Sequence, residues 1–208
     1  MEALSGPVKG EVGKIMRRKP GRFFQDRSFH PLHQRQLIVS PMPLTFRAAT
    51  PADIPLLRDL AGRIWRACYP GTISLEQIEY MLGWMYSPEK IASELASGVQ
   101  WEIALLDNTP VGYLSITFHS ATLAELNKIY LLPELHGRGL GQAMLTRAAE
   151  CVAARGCAEL QLRVNKRNPR ALRSYDRAGF RIVDSIVGDI GGGFVMDDYV
   201  LSRPLREN

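Results

Sequence analysis

The sequence predicts an α/β domain: a mixed, mainly antiparallel central sheet flanked by helices on both faces. Three observations carry that expectation. Val99 to Leu106, Val111 to His119 and Leu123 to Leu132 are apolar, strand-like runs separated by short polar turns. Segments with helical apolar spacing lie before this trio, and another, Leu140 to Ala154, follows it. Between the last run and that helix stand three glycines at alternate positions, in His136-Gly137-Arg138-Gly139-Leu140-Gly141-Gln142.

The length of 208 residues suits one domain with a sizeable core, and 46% hydrophobic with 23% charged residues is ordinary for a globular chain. The net charge of +5 is uneven. Residues 1–43 hold 8 Lys/Arg against 3 Asp/Glu, which is the whole excess, and the rest balances at 18 of each. Nucleic acid is therefore not expected as a partner of the folded part. The segment 1–43 reads as a basic N-terminal tail without a sustained apolar period, and 44–208 as the domain. The tail is open to several readings: a basic arm for an acidic partner, an organelle transit peptide (against which Glu2, Glu11 and Asp26 count), or a dispensable extension with Met42 as the true start. No run approaches the roughly 18 apolar residues of a membrane span, and the N-terminus lacks a secretory apolar core. Together with three cysteines in no metal-ligand spacing, this predicts a cytoplasmic protein with reduced thiols and no membrane association.

In chain order, Leu44 to Arg47 reads as a short strand. Thr50-Pro51-Ala52-Asp53 offers an N-cap, a first-turn proline and an acid near the helix dipole, opening a helix to about Cys68. Ser74 with Gln77 has the form of a capping box for a second helix through Tyr86, and Ser87-Pro88 opens a third, ending near Gly98. Trp65, Tyr69, Tyr80, Trp84 and Tyr86 make this region aromatic, either as packing on a sheet or as a pocket wall. Asp107 to Pro110 and Ser120 to Thr122 are the turns of an antiparallel meander. Beyond Ala154, Glu159 to Asn165 reads as a strand, Asn168 to Ala178 as a helix, and Phe180 to Val187 with Phe194 to Ser202 as a strand pair joined through Gly191-Gly192-Gly193.

The glycine turn is an anion cradle on physical grounds. Glycine permits a tight turn and close ligand approach, while the first free N–H groups of the following helix and its dipole favour negative charge. Gly-x-Gly-x-Gly is neither the dinucleotide pattern G-x-G-x-x-G nor the G-x-x-x-x-G-K-[ST] loop of nucleotide hydrolases.

Two stretches in order, Glu125 to Gly141 and then Val164-Asn165-x-x-Asn168-x-x-Ala171-x-x-x-Tyr175-x-x-x-Gly179-Phe180, resemble the GNAT superfamily of acetyl-CoA-dependent N-acetyltransferases. The resemblance covers roughly Leu44 to Leu205. It implies acetyl-CoA as co-substrate, direct acetyl transfer to an amine and no metal. The family's cradle is written (Gln/Arg)-x-x-Gly-x-(Gly/Ala); His136 stands here in place of the Gln or Arg. Carried over residue by residue, the pyrophosphate falls to Gly137, Arg138, Gly139, Leu140, Gly141 and Gln142, and the pantetheine arm to the backbone of Ile129, Tyr130 and Leu131. An N–H near Leu131 would polarise the thioester carbonyl. Asn168 matches the asparagine beside the pantetheine and can also cap the helix it opens.

Tyr175 matches the family tyrosine that protonates the departing thiolate as general acid. For the base, strand alternation puts Glu125, Asn127, Ile129 and Leu131 on one face and Lys128 with Tyr130 on the other. Glu125 matches the base of histone-type members, with a solvated carboxylate as the plain alternative. Ribosomal-protein N-terminal acetyltransferases place a glutamate where this chain has Arg163. His119 is read as a strand end with no nearby Asp or Ser pattern, so no Ser/His/Asp triad is assigned, and Glu134, Asp197 and Asp198 are weaker candidates for the base. The segments Ile129 to Pro133 and Gly193 to Tyr199 look like bacterial members acting on small amines or polyamines, and Asp197-Asp198 could attract a cationic amine. A peptide acceptor, through protein N-terminal or lysine acetylation, is the alternative, and an acetyl-CoA-binding sensor without turnover a second one. The sequence leaves a homodimer open.

Overall fold

A computed structural model describes residues 44–205. The basic segment 1–43, with the readings attached to it, lies outside the described residues. The chain runs through β1 (Thr45–Ala48), a 3-10 turn (Pro51–Asp53), α1 (Ile54–Cys68), α2 (Leu75–Met85), α3 (Pro88–Ala96), β2 (Gln100–Leu106), β3 (Thr109–Phe118) and β4 (Leu123–Leu131). After a second 3-10 turn (Pro133–Leu135) come α4 (Leu140–Ala154), β5 (Glu159–Asn165), α5 (Pro169–Arg177), β6 (Arg181–Gly191) and β7 (Phe194–Pro204).

The strands form one seven-stranded sheet in the order β1-β2-β3-β4-β5-β7-β6. Only β4 and β5 pair in parallel; every other neighbour is antiparallel. Antiparallel neighbours need only short turns, whereas the parallel step needs a crossover, which α4 supplies. The predicted mixed, mainly antiparallel sheet with helices on both faces is what forms. Leu57, Leu60, Ile64 and Trp65 of α1, with Ile78 and Met81 of α2, bury one face around Trp101 and Tyr113. Leu145, Ala148, Ala149 and Val152 of α4 bury the other around Leu114, Ile116, Leu126, Leu160 and Leu162.

Local signals explain most element ends. Asp53 accepts from the Thr50 N–H (2.9 Å) and from the Arg47 guanidinium (2.6 Å), which fixes the entry to α1 and holds its carboxyl far below the usual carboxylate range. Ser74 and Ser87 cap α2 and α3 by accepting from Gln77 N–H and Lys90 N–H, each at 3.1 Å. The expected capping box at Ser74 is only half made: the Gln77 side chain donates instead to Val195 O of β7, at 3.3 Å. Asp107 and Asn108 sit at positive φ, the signature of a two-residue hairpin turn, so Thr109 and Pro110 belong to β3 rather than to the turn.

The final hairpin is longer than its apolar pattern suggested, β6 reaching Gly191 and β7 reaching Pro204. Its tip is seated on α2. Tyr80 donates to Ile190 O at 2.6 Å and packs so closely that a Cβ at Gly191 or Gly192 would lie 2.6 or 2.9 Å from its ring or hydroxyl. Both glycines also have positive φ. β6 forms one edge of the sheet, opposite β1, with Ile182, Val183 and Val187 exposed.

Candidate active site

The site lies where β4 and β5 part. They pair only from Leu123↔Glu159 to Leu126↔Leu162. Beyond that point β4 stays paired with β3, through one bulge, as far as Leu131↔Gly112, while its edge facing β5 has no strand partner among the described residues. A ligand with amide groups can therefore take the place of the missing strand.

The cradle closes one end of this fork. His136 Nε2 lies 2.9 Å from Leu131 O, tying the turn to the end of β4, and burial pushes its imidazole below the ordinary histidine range. The neutral ring donates to that carbonyl. Gly137 and Gly139 both have φ of +80°, and Gly139 is the left-handed N-cap of α4. The N–H groups of Arg138 to Gly141 have no protein partner among the described residues and sit at the positive end of a 15-residue helix with no acid in its first turn. Gln142 differs from its expected place in this set. Its backbone N–H is spent on Gly139 O (3.0 Å), and its side chain donates to Ser174 O (2.8 Å) and Ser174 Oγ (2.9 Å), fastening α4 to α5.

Across the fork stands α5. Asn168 caps it, its Oδ1 accepting from Ala171 N–H at 3.0 Å, which leaves the amide nitrogen for another acceptor. Tyr175 is half-buried against Phe180, with ring centroids 6.0 Å apart. Its hydroxyl has no protein partner among the described residues, and burial, with the nearby Tyr69 adding to it, raises its pKa well above the ordinary value. The hydroxyl thus keeps its proton across the neutral range. Tyr69 and Tyr130 meet at 3.2 Å between hydroxyl oxygens beside it.

Simple alternation fails in β4. Ser115 pairs with Lys128 but Ile116 with Leu126, so Asn127 is an extra residue, a β-bulge. Tyr113, Ser115 and Thr117 alternate on β3 and share a face; their partners Tyr130, Lys128 and Glu125 must share it too. The expectation that Glu125 lies opposite Lys128 and Tyr130 is thereby corrected. Ile129 and Leu131, opposite Leu114 and Gly112, take the other face. Lys128 is buried, paired with Glu94 at 3.1 Å and 4.8 Å from the Trp101 ring centre, a structural ion pair.

Glu125 is not a lone solvated carboxylate. His119 Nε2 lies 2.9 Å from its Oε2, and Arg163 Nε lies 3.2 Å from its Oε1. The meander turn folds His119, read in the sequence only as a strand end, back beside Glu125. Asp197 and Asp198, read as a pair in sequence, point to opposite faces. Asp197 is paired with Lys166, and Asp198 is buried, its Oδ1 without a partner. Burial raises the Asp198 carboxyl above its ordinary range. Glu134 is exposed and 3.6 Å from Arg63. His119 carried no sequence signal as a site residue, because strand pairing brings it to Glu125 from a separate segment; Tyr69 and Asp198, read in the sequence as a possible pocket wall and a weaker acidic candidate, are brought near each other by helix docking and strand pairing.

The aromatic residues of the helical region divide. Trp65 and Tyr86 are core, Tyr86 accepting from Tyr113 at 2.9 Å, while Tyr69 stacks on Trp65 at 4.4 Å with its hydroxyl against that of Tyr130. A hollow of about 470 Å³ between α1 and α2, lined by Arg58, Arg66, Glu79 and Tyr86, shares no residue with the fork. Among the described residues no cluster of His, Cys, Asp and Glu could hold a metal, and no helix is long and apolar enough to cross a membrane.

A fork with an unpaired strand edge, an anion cradle at one end and an uncommitted tyrosine hydroxyl opposite defines an acyl-CoA-type transferase site. The model of the acetyltransferase (GNAT) family matches residues 59–180, and the chain belongs to that family. It is a GNAT-type N-acetyltransferase that uses acetyl-CoA. It is 27% identical over 161 residues to a spermidine N(1)-acetyltransferase of Thermoplasma acidophilum, covering 75% of this chain and 97% of that one. It is 29% identical over 154 residues to an uncharacterised N-acetyltransferase of Mycobacterium tuberculosis, covering 74% and 98%. Among solved structures, the PaiA N-acetyltransferase of T. acidophilum in complex with coenzyme A superposes with a TM-score of 0.67 at 25% identity, covering 78% of this chain and 99% of that one.

Proposed function

We propose that the acceptor is a small primary amine of the diamine or polyamine type. The observation that carries this reading is the lining of the acceptor side of the fork: Tyr69 and Tyr130, whose hydroxyls meet, with the carboxylate of Glu125 further back on the same face of β4, and a hairpin tied to α2 through Gln77 and Tyr80. Aromatic rings and carboxylates are the groups that hold alkylammonium ions. The similarity to a spermidine acetyltransferase supports the same acceptor class.

Bound acetyl-CoA supplies an activated acyl carbonyl and a thiolate leaving group. In our reading the N–H groups of Gly137, Arg138, Gly139, Leu140 and Gly141 hold the pyrophosphate, with Gln142 bracing the cradle rather than donating to it. The free edge of Ile129, Tyr130 and Leu131 takes the pantetheine as an added strand, with the Asn168 amide beside it. A preorganised N–H near Leu131 then stabilises the oxyanion that develops. Glu125 takes the proton of the attacking amine and passes it to His119, which is 45% exposed and open to solvent. Arg163 fixes the orientation of Glu125. Tyr175 gives its proton to the departing thiolate. Every group named comes from one chain. The three free cysteines, two of them buried, suit the reducing cytoplasm where we place the enzyme.

The test is release of coenzyme A thiol from acetyl-CoA across polyamines, amino acids, aminoglycosides, N-terminal peptides and lysine peptides. Release confined to diamines and polyamines, and reduced in Tyr175→Phe, is the expected result. Release with peptides alone would replace this reading with protein acetylation. Bound acetyl-CoA with no release from any amine would leave a sensor.

A further inference from the structure

Two carboxylates face the acceptor side of the sheet, and their surroundings differ. Val164, opposite Tyr199, packs toward α4, so Asn165 and its partner Asp198 point to the other face, the one that carries Glu125 and Arg163. Asp198 is 3% exposed with Oδ1 unpartnered, although a buried carboxylate without a partner is costly. The cations near enough to serve it are already engaged. Arg163 of β5 holds Glu125, and Lys166 holds Asp197. Tyr69, after α1, senses the charge of Asp198 but bonds to Tyr130. Arg163 is bonded to Glu125 and Lys166 to Asp197, so among the described residues Asp198 has no cation of its own within ion-pair distance.

We propose that Asp198 is the specificity residue that binds a second, non-reacting ammonium group of the acceptor. This rests on the small-amine reading above. The chemistry decides which nitrogen it holds. An amine that attacks a thioester must be neutral, and a buried carboxylate against it would stabilise the ammonium form and oppose attack. A distal ammonium keeps its charge and gains from the pairing. Glu125, with His119 as a route to solvent, serves the reacting nitrogen instead. In register, Glu125 lies beside Gln161 and Asp198 beside Asn165, four residues further along β5. At a rise of about 3.3 Å per residue and a strand spacing of about 4.8 Å, that places the two positions about 13 Å apart along the strand and two strand spacings, about 10 Å, across it, or about 16 Å in all. An extended polyamine of spermidine length, hydrogen-bonded at each end, comes nearest to spanning them, a shorter diamine reaches part of the way, and a monoamine reaches only one.

The experiment compares hexylamine with 1,6-diaminohexane and spermidine as acceptors for the wild type, Asp198→Asn, Asp198→Glu and Glu125→Gln. Asp198→Asn should lower the preference for the diammonium acceptors over hexylamine on the order of 30-fold or more, mainly through KM, because one partner of a buried ion pair is lost. Asp198→Glu should restore part of it, and Glu125→Gln should depress kcat for all three acceptors with the preference unchanged. Equal losses on hexylamine and the diamines in Asp198→Asn would overturn the proposal. A second readout needs no turnover: the carboxyl titration of Asp198 by ¹³C NMR should shift to lower pH when 1,6-diaminohexane is added. A diamine-acetylating enzyme whose Asp198 titration is unmoved would refute this role and leave the acceptor class standing. A responsive Asp198 in an enzyme that acetylates no small amine would do the reverse.

Discussion

Two glycines of the cradle, two residues apart, should respond to the same substitution with opposite signs. Gly139 holds φ of +80°, and an added Cβ would meet nothing within 4 Å, so Gly139→Ala carries conformational strain without a clash. Holding an L-residue there costs about 1–2 kcal/mol. For a domain of this size that is a fall in Tm of roughly 2–8 °C. If the turn relaxes to escape the strain, at least one of the N–H groups from Arg138 to Gly141 leaves its direction. Losing one hydrogen bond to an anion, about 1.5 kcal/mol, weakens coenzyme A binding about tenfold. Gly141 lies inside the first turn of α4 with no positive φ and open space around its Cβ position. Gly141→Ala should instead gain up to about 1 kcal/mol of helix propensity and raise Tm by about 2–4 °C. The added methyl meets no protein atom, so the affinity should stay close to that of the wild type. Thermal unfolding and calorimetric titration with coenzyme A measure both quantities. Equal destabilisation by the two substitutions, or an unchanged affinity in a destabilised Gly139→Ala, would refute the reasoning.

Tyr175→Phe removes the uncommitted hydroxyl and should lower kcat by about 100-fold or more while coenzyme A affinity holds; a matching loss of affinity would mean that Tyr175 packs rather than reacts. Because its pKa is raised, no loss of wild-type rate from Tyr175 ionisation should appear between pH 7 and 9. Lys128→Ala leaves the Glu94 carboxylate to Trp101 Nε1 and Lys90 and opens a hole beside Trp101, and should destabilise by about 3 kcal/mol, whereas Lys128→Met should cost less, as denaturant midpoints would show. The His136 pKa is lowered on folding, so the unfolded chain takes up a proton first as pH falls below its ordinary value of about 6.5. Its contribution is therefore constant above that pH and becomes destabilising below it. The acid-side slope of stability between about pH 6.5 and 5 should flatten in His136→Gln; an unchanged slope would point to another group.

Much of the fold was legible because local physics dictates it. Serine caps at 74 and 87, prolines at first helical turns and apolar spacing in 54–68 and 140–154 predict helices that the structure contains. The cradle was legible for the same reason, since its glycines, their positive φ and the following helix are neighbours in sequence. Local pattern failed where a long-range contact outweighed it. Gln77 reached Val195 instead of its own helix end, and Gln142 left the cradle to fasten Ser174.

The sequence by itself determined the order of elements, the glycine turn that opens α4 and the family, because each depends on residues within a few positions of one another. Only the tertiary structure decided which side chains face the acceptor. One extra residue at Asn127 rotates the alternation of β4, setting Glu125 on the same face as Tyr130, and sheet pairing delivers His119, Arg163 and Asp198 from three other segments. A strand's period of two fixes faces only while register is unbroken, and register belongs to the paired strand as much as to the strand itself.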